Sequence, residues 1–105
     1  MNTVFLWEIL VPCTIDNEHI KLKHHKQWDK FVQRISGGLT ILKPAKGIWV
    51  FKNESTEERM IPVRMACTEK EMLKIVNFTA EHYQQKSVMV YKLTEEVYIK
   101  RFDDE

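Results

Sequence analysis

The chain has 105 residues, close to the commonest size of a single domain, so we expect one domain, residues 1–105, around one hydrophobic core. Its 16 Lys and Arg residues against 15 Asp and Glu residues leave a net charge of +1, without the strong basic field by which proteins hold nucleic acid backbones. The apolar run from Val4 to Val11 is too short to span a bilayer, so we expect neither a nucleic acid partner nor a membrane segment.

The first residues lack the basic start and small-residue cleavage site of a secretory leader, so the chain is expected to be mature from Met1. Cys13 and Cys67 could pair in principle. In a chain without a leader, however, reduced thiols are favoured. The sequence therefore predicts a cytoplasmic location.

The first element is a strand. Residues Val4 to Val11 are rich in β-branched and aromatic side chains, and Pro12, which cannot donate a ladder hydrogen bond, stops the run. In the segment from Thr14 to Lys23, Asp16 and Asn17 favour a turn. We expect an extended or irregular excursion here, with an early helix start as the alternative.

A helix is predicted from about His24. Four apolar residues recur at i, i+3, i+4 and i+7 and form one stripe: Trp28, Phe31, Val32 and Ile35. Gly37 and Gly38 end the helix, because glycine readily adopts the left-handed conformation that follows a helix.

Two short strand-like runs follow, Leu39 to Leu42 and Ile48 to Phe51, separated by a segment that contains a proline and a glycine. They form either one bent strand or two. The polar residues Lys52 to Arg59 predict a hairpin loop, and Met60 to Cys67 predicts the next strand.

A capping box is expected at Thr68 and Glu71, in which each side chain bonds the other's backbone amide at the start of a second helix. The apolar face of that helix carries Met72, Ile75, Val76 and Tyr83, and the helix ends near Gln84 or Gln85. Ser87 to Leu93 predicts the last core strand. Residues Val97 to Phe102 either extend this strand or fold back, and the acidic tail Asp103 to Glu105 is expected to be solvated.

The order strand, helix, strand, strand, helix, strand predicts an α+β fold of the ferredoxin-like βαββαβ plan, with both helices on one face of an antiparallel sheet. The strand containing Glu8 then neighbours the strand containing Arg64. Period-2 alternation places both side chains on the face that the helices leave open, where Tyr91 or Lys92 could join them.

The open face also carries four apolar side chains: Val4, Leu6, Leu10 and Met60. Apolar patches of this kind usually mark an interface, so we expect a homo-oligomer, with a symmetric dimer favoured. The alternative is that the long loop or the C-terminal segment covers the face within one chain.

Glu8 has two interpretations. It is either a structural carboxylate, satisfied by Arg64 or a lysine, or a partly buried acid whose raised pKa would suit a general base or a ligand anchor. The structural interpretation is favoured.

Neither a metal nor a cofactor is predicted. His19, His24, His25 and Cys13 lie within one stretch, but no pair has the spacing of a helical or knuckle metal site, and no glycine-rich phosphate loop occurs. Cys67 precedes a helix N-terminus, yet we expect it to be a small buried apolar residue rather than a nucleophile.

Several short motifs resemble a small α+β family typified by bacterial lipoprotein-like chains. That family has an acid in the first strand, a GLTVL run, a G-x-W motif and a Q-x-S-V motif before the last strand. The matching segments here are Glu8, Gly38 to Leu42, Gly47 to Trp49, and Gln85 to Val88, with Glu58 before the third strand. The resemblance implies a ferredoxin-like fold and oligomerisation but supplies no chemistry. Because this chain lacks the family's leader and lipidation cysteine, its envelope location is not expected here.

The polar residues of these motifs, together with Arg64, form the candidate ligand site: Glu8, Thr40, Trp49, Glu58, Arg64, Tyr83, Gln85 and Ser87. Gln85 and Ser87 could instead cap the second helix. The favoured hypothesis is a non-catalytic homo-oligomeric or partner-binding module. The alternative is a small-molecule site or enzyme with Glu8 as the acid and Trp49 and Tyr83 as apolar walls, so whether the chain is an enzyme stays open.

Overall fold

The computed structural model describes residues 3–102. Within these residues, seven strands and two helices occur in the order β1 (Phe5–Pro12), β2 (Thr14–Ile15), β3 (Glu18–His19), α1 (Leu22–Ser36), β4 (Thr40–Ile41), β5 (Ala45–Phe51), β6 (Glu54–Cys67), α2 (Glu69–His82) and β7 (Val90–Thr94).

The main sheet is antiparallel. Strand β6 pairs with β1 on one side and with β4 and β5 on the other, and β7 pairs with the far edge of β1. Both helices pack over one face of this sheet, so the fold is ferredoxin-like α+β as predicted. The strands β2 and β3 are not part of the ferredoxin-like βαββαβ order. They form a small separate hairpin between β1 and α1, in the segment where an extended excursion was expected.

The two predicted helices are confirmed, and α1 begins at Leu22 rather than near His24. Gly37 follows α1 with a φ of 86°, and its amide bonds the carbonyl of Gln33, which is the glycine termination read from the sequence. At the start of α2, both bonds of the capping box between Thr68 and Glu71 are present.

The core lies between the helices and the covered face of β1 and β6. Trp7, Ile9 and Val11 alternate along β1 and are at most 8% exposed, as period 2 predicts. Trp28 of α1 donates its indole N–H to Thr79 of α2 at 2.8 Å, which joins the two helices in the interior.

The prediction of a loop from Lys52 to Arg59 is wrong. Only Lys52 and Asn53 form the turn, with φ values of 51° and 67°, and Glu54 onward belongs to β6. Positive φ at both central residues is the type I′ geometry that matches the twist of a two-stranded hairpin. The result is a projecting ribbon, residues 45–59, which we call the arm. The two strand-like runs predicted on either side of the Pro44 and Gly47 segment are two separate strands, β4 and β5, and both pair with β6.

The last strand, β7, begins at Val90, three residues later than predicted, and Val97 to Phe102 form neither a helix nor a strand. The acidic tail predicted at Asp103 to Glu105 lies outside the described residues. No helix among residues 3–102 is long and apolar enough to cross a membrane.

Candidate functional site

Glu8 is the centre of the open face. It stands in the middle of β1, opposite Arg64 on β6 and Tyr91 on β7, so three strands place these side chains together. The Arg64 Nε–H donates to Glu8 Oε1 at 2.8 Å, and the Tyr91 hydroxyl donates to Glu8 Oε2. The predicted pairing of Glu8 with Arg64 is confirmed. Tyr91 and Lys92 were the two side chains expected to join this pair, and Tyr91 is the one that does. The Nζ atom of Lys92 instead lies 4.0 Å from the ring centre of Phe5.

These contacts make Glu8 an anion. Its residue is only 7% exposed, and burial by itself raises the pKa of the carboxyl. The hydrogen bonds from Tyr91 and Arg64, with the charge of Arg64, outweigh burial and hold the pKa of Glu8 below its ordinary value. The hydrogen bond between Tyr91 and Glu8 raises the pKa of the Tyr91 hydroxyl. Glu8 is therefore ionised at neutral pH, and the raised pKa that a general base would need is not found.

A groove of about 310 Å³ begins at the Glu8 carboxylate and continues towards the base of the arm. Its walls are mainly apolar or aromatic, with Trp49, Met60, Pro62, Met89 and Tyr91 among the lining residues. The groove thus combines the carboxylate of Glu8 and the ammonium group of Lys46 with an aromatic wall, and a few polar groups in an apolar lining are the usual composition of a site for a small organic ligand.

Gly47 shapes the aromatic wall of this groove. A Cβ atom at Gly47 would lie 3.1 Å from Cζ2 of Trp49, so the indole is seated against the glycine backbone. The G-x-W spacing on one strand places both residues on the same face, two positions apart. The absence of a side chain at Gly47 is what allows Trp49 to turn towards the groove.

Other predicted site residues lie elsewhere. Tyr83 is fully buried in the core, where its hydroxyl and Nδ1 of His25 are 2.7 Å apart, so it does not wall the groove. Gln85 closes α2: its amide donates to the carbonyl of Ala80 at 2.8 Å, and its side chain donates to the carbonyl of Tyr83 at 3.2 Å. The capping role weighed for Gln85 is therefore observed.

The remaining three candidates are exposed and separate from the groove. Thr40 pairs in register with Arg64 and lines a second cavity beside it. Glu58 lies on the arm, opposite Gly47, at a surface depression shared with the β2–β3 hairpin. Ser87 lies between α2 and β7, outside both elements.

A histidine pair was missed in the sequence. The rings of His24 and His82 stack 3.8 Å apart, and each Nε2 bonds the other residue's backbone carbonyl, at 2.7 and 2.8 Å. The two residues are 58 positions apart, so only the helix packing brings them together. Within residues 3–102, no three His, Cys, Asp or Glu side chains are grouped as a metal site would require.

Both cysteines are free thiols. Cys67 is 1% exposed, and burial, followed by the charge of Glu71, raises its pKa to about 12. The thiol is therefore protonated at neutral pH and packs as an apolar group, as expected.

No protein-family model matches the sequence, and a search of curated proteins finds no match. Solved structures do match. The divalent cation tolerance protein Cut A1 from Thermus thermophilus is 12% identical, with a TM-score of 0.67 over 93% of this chain and 87% of that one. CutA from Xylella fastidiosa is also 12% identical, with a TM-score of 0.68 over 92% and 88%.

A phage SAM lyase in complex with S-methyl-5'-thioadenosine is similar as well. It is 14% identical to this chain, with a TM-score of 0.63 over 94% of this chain and 95% of that one. At such identities the likeness establishes a shared fold alone.

Proposed function

We propose that this protein is a homo-oligomeric module that binds a small organic ligand in the groove between Glu8 and Trp49. The observation that carries the proposal is the arrangement of Glu8, an ionised carboxylate held by Arg64 and Tyr91 at the rim of an aromatic groove. A purely structural ion pair has no need of the adjacent groove, nor of an indole seated on a glycine.

The lining favours a ligand with a flat ring. The face of Trp49 offers stacking, while Met60, Met89 and Pro62 offer apolar contact to the rest of the molecule. Glu8 accepts hydrogen bonds from hydroxyl groups or attracts a positive centre. A nucleoside that carries a thioether meets all three requirements, and S-methyl-5'-thioadenosine, the molecule bound to the similar phage protein, is the first probe.

Isothermal titration calorimetry with S-methyl-5'-thioadenosine tests the ligand proposal. We expect saturable binding by the wild type and at least roughly tenfold weaker binding by Trp49→Ala, which removes the stacking ring, and by Glu8→Gln, which removes the anionic acceptor. Trp49→Phe keeps a ring and should retain most of the affinity. Equal affinity in all four proteins would contradict the site.

A second candidate function is an enzyme acting on S-adenosylmethionine, the substrate class named for the phage lyase. The observation that favours it is the position of the Glu8 carboxylate beside the aromatic rings of the groove, because a carboxylate and ring faces together attract the sulfonium centre of that molecule. Incubation with S-adenosylmethionine, followed by chromatography for S-methyl-5'-thioadenosine, tests it. Product formation by wild type and Glu8→Gln at the same rate would remove Glu8 from the reaction.

The arm supports the oligomeric part of the proposal. Ile48 and Val50 share one of its faces and are 57% and 73% exposed, and the molecule measures 55 × 30 × 23 Å. Exposed apolar side chains in a row on a projecting ribbon are typical of an interface, and a second copy of this chain is the occupant we propose, in a symmetric dimer.

Light scattering tests self-association. We expect the wild type to be larger than a monomer and Val50→Lys to shift it to the monomer mass. Leu73→Lys is the matched control, because Leu73 is a 58% exposed apolar residue on α2, away from the arm. A monomeric wild type would contradict this part of the proposal and leave the ligand part intact.

A further inference from the structure

A second cavity lies on the open face, on the other side of the Glu8–Arg64 ion pair from the groove. Its volume is about 350 Å³. Residues that line it include Leu6, Thr40, Arg64, Ala66, Ile99 and Arg101. Its walls therefore belong to the sheet, to the end of α1 with the turn that follows it (residues 36–39), and to the C-terminal segment that follows β7.

The charge in this second cavity is positive. Two arginines line it, Arg64 from β6 and Arg101 from the C-terminal segment, and none of the described residues lining it is acidic. Glu8 compensates the charge of Arg64, so the net positive charge at the cavity comes from Arg101 and favours an anionic occupant.

Arg64 links the two cavities, because it lines the second cavity and bonds Glu8, which lines the groove. Its bond to Glu8 Oε1 uses the Nε–H, which leaves the N–H groups of the two terminal nitrogens as a planar fork. That fork matches the spacing of carboxylate or phosphate oxygens. Thr40 stands opposite Arg64 in the strand register and adds a hydroxyl donor on the same wall.

We infer that the second cavity is an anion subsite, which takes the carboxylate or phosphate group of the ligand whose ring lies against Trp49. This inference rests on the proposed function for the ring, but the subsite itself is testable alone. Leu6 in the second cavity and Glu8 in the groove are two positions apart on one strand face, a spacing of about 7 Å. A ligand of nucleotide size can span that distance.

The subsite is tested with free anions. Inorganic phosphate and acetate are titrated separately into ¹⁵N-labelled protein, and the amide signals of Thr40 and Ala66 are followed. We expect saturable shifts with at least one of the two anions, and the stronger of them identifies the preferred group. Arg101→Gln should weaken this binding about tenfold, the loss expected for one charge-assisted hydrogen bond. Lys100→Gln removes the same charge from the neighbouring position and should have little effect.

Equal weakening by Arg101→Gln and Lys100→Gln would mean general charge attraction and would overturn the subsite, as would the absence of saturable shifts.

Adenosine and adenosine 5'-monophosphate then separate the two proposals. Tighter binding of the monophosphate, lost in Arg101→Gln, supports the linked subsite. Equal binding of both overturns the link to the ring ligand and leaves the groove proposal standing. Phosphate binding without any binding of adenosine or S-methyl-5'-thioadenosine keeps the anion site and rejects the proposed ring site.

Discussion

Replacing Arg64 with methionine tests whether the Glu8 carboxylate depends on its arginine. Breaking a fully buried ion pair from one side costs about 3–5 kcal/mol, while an exposed pair contributes about 0–1 kcal/mol. Here the Glu8 side chain is 9% exposed and that of Arg64 46%, and Tyr91 still donates to the carboxylate. We therefore expect an intermediate cost of about 2 kcal/mol, or roughly 10 °C in Tm for a domain of this size.

Urea unfolding at several pH values measures this cost. The lowered pKa of Glu8 means that its stabilising contribution is present above its ordinary value of 4.5 and is lost as pH falls through the lowered value. Arg64→Met removes the hydrogen bond and the charge of Arg64, two of the effects that lower this pKa, so Glu8 is protonated at a higher pH in the variant than in the wild type. The difference in stability between wild type and Arg64→Met should therefore be largest at neutral pH and shrink towards about pH 4.

Lys46→Met is the control for Arg64→Met. Lys46 lies 3.9 Å from Glu57 on the arm, and both side chains are more than 60% exposed. Its loss should cost less than about 0.5 kcal/mol at any pH. The reasoning is refuted if Arg64→Met and Lys46→Met destabilise the protein equally, or if the cost of Arg64→Met does not depend on pH.

Three further predictions concern the core and the groove. Thr79→Val should cost about 1–3 kcal/mol in urea unfolding, because it leaves the indole N–H of Trp28 buried without an acceptor, whereas Thr79→Ser should cost far less. Burial, with the nearby imidazole charges, lowers the pKa of His25 against the opposing effect of a neighbouring carboxylate, so stability should fall as pH drops below 6.5. His25→Gln should remove that part of the slope, and an unchanged slope would argue against it. Gly47→Ala should displace the indole of Trp49 and weaken S-methyl-5'-thioadenosine binding in calorimetry while leaving Tm within a few degrees; unchanged affinity would be the contrary result.

The meeting of Glu8 and Arg64 was predictable because it follows from two local patterns. Alternation fixes which face each side chain takes, and the ferredoxin-like order makes their strands neighbours. The same strand order predicted that Tyr91 or Lys92 of the last strand would join Glu8 and Arg64, but it did not decide between the two. The β1–β7 register decides between them, placing Tyr91 opposite Glu8 and Lys92 opposite Trp7.

The β6 part of the arm was missed because residues 54–59 carry no periodic signal. From Glu54 to Arg59 every side chain is exposed, so no buried face imposes alternation on these residues. Polar composition then favours a loop, whereas backbone pairing with β5 makes a strand.

The site predicted from shared motifs was only partly brought together. Glu8 and Trp49 line one groove, and Arg64 bonds Glu8 at its rim, whereas Tyr83 faces the core and Gln85 ends α2. Proximity along a motif does not determine which side of the sheet a side chain reaches. The stacked His24 and His82 could not be found from sequence at all, because their contact depends on how the two helices cross.

The most direct test of the groove is an NMR titration with S-methyl-5'-thioadenosine that follows the three indole N–H signals. Trp7 donates its indole N–H to the carbonyl of Cys67 at 3.0 Å, and Trp28 donates to Thr79, so both are buried internal references. Trp49 lines the groove. A saturable shift of the Trp49 signal, with those of Trp7 and Trp28 unmoved, is the predicted result. A stationary Trp49 signal at saturating ligand would contradict the account.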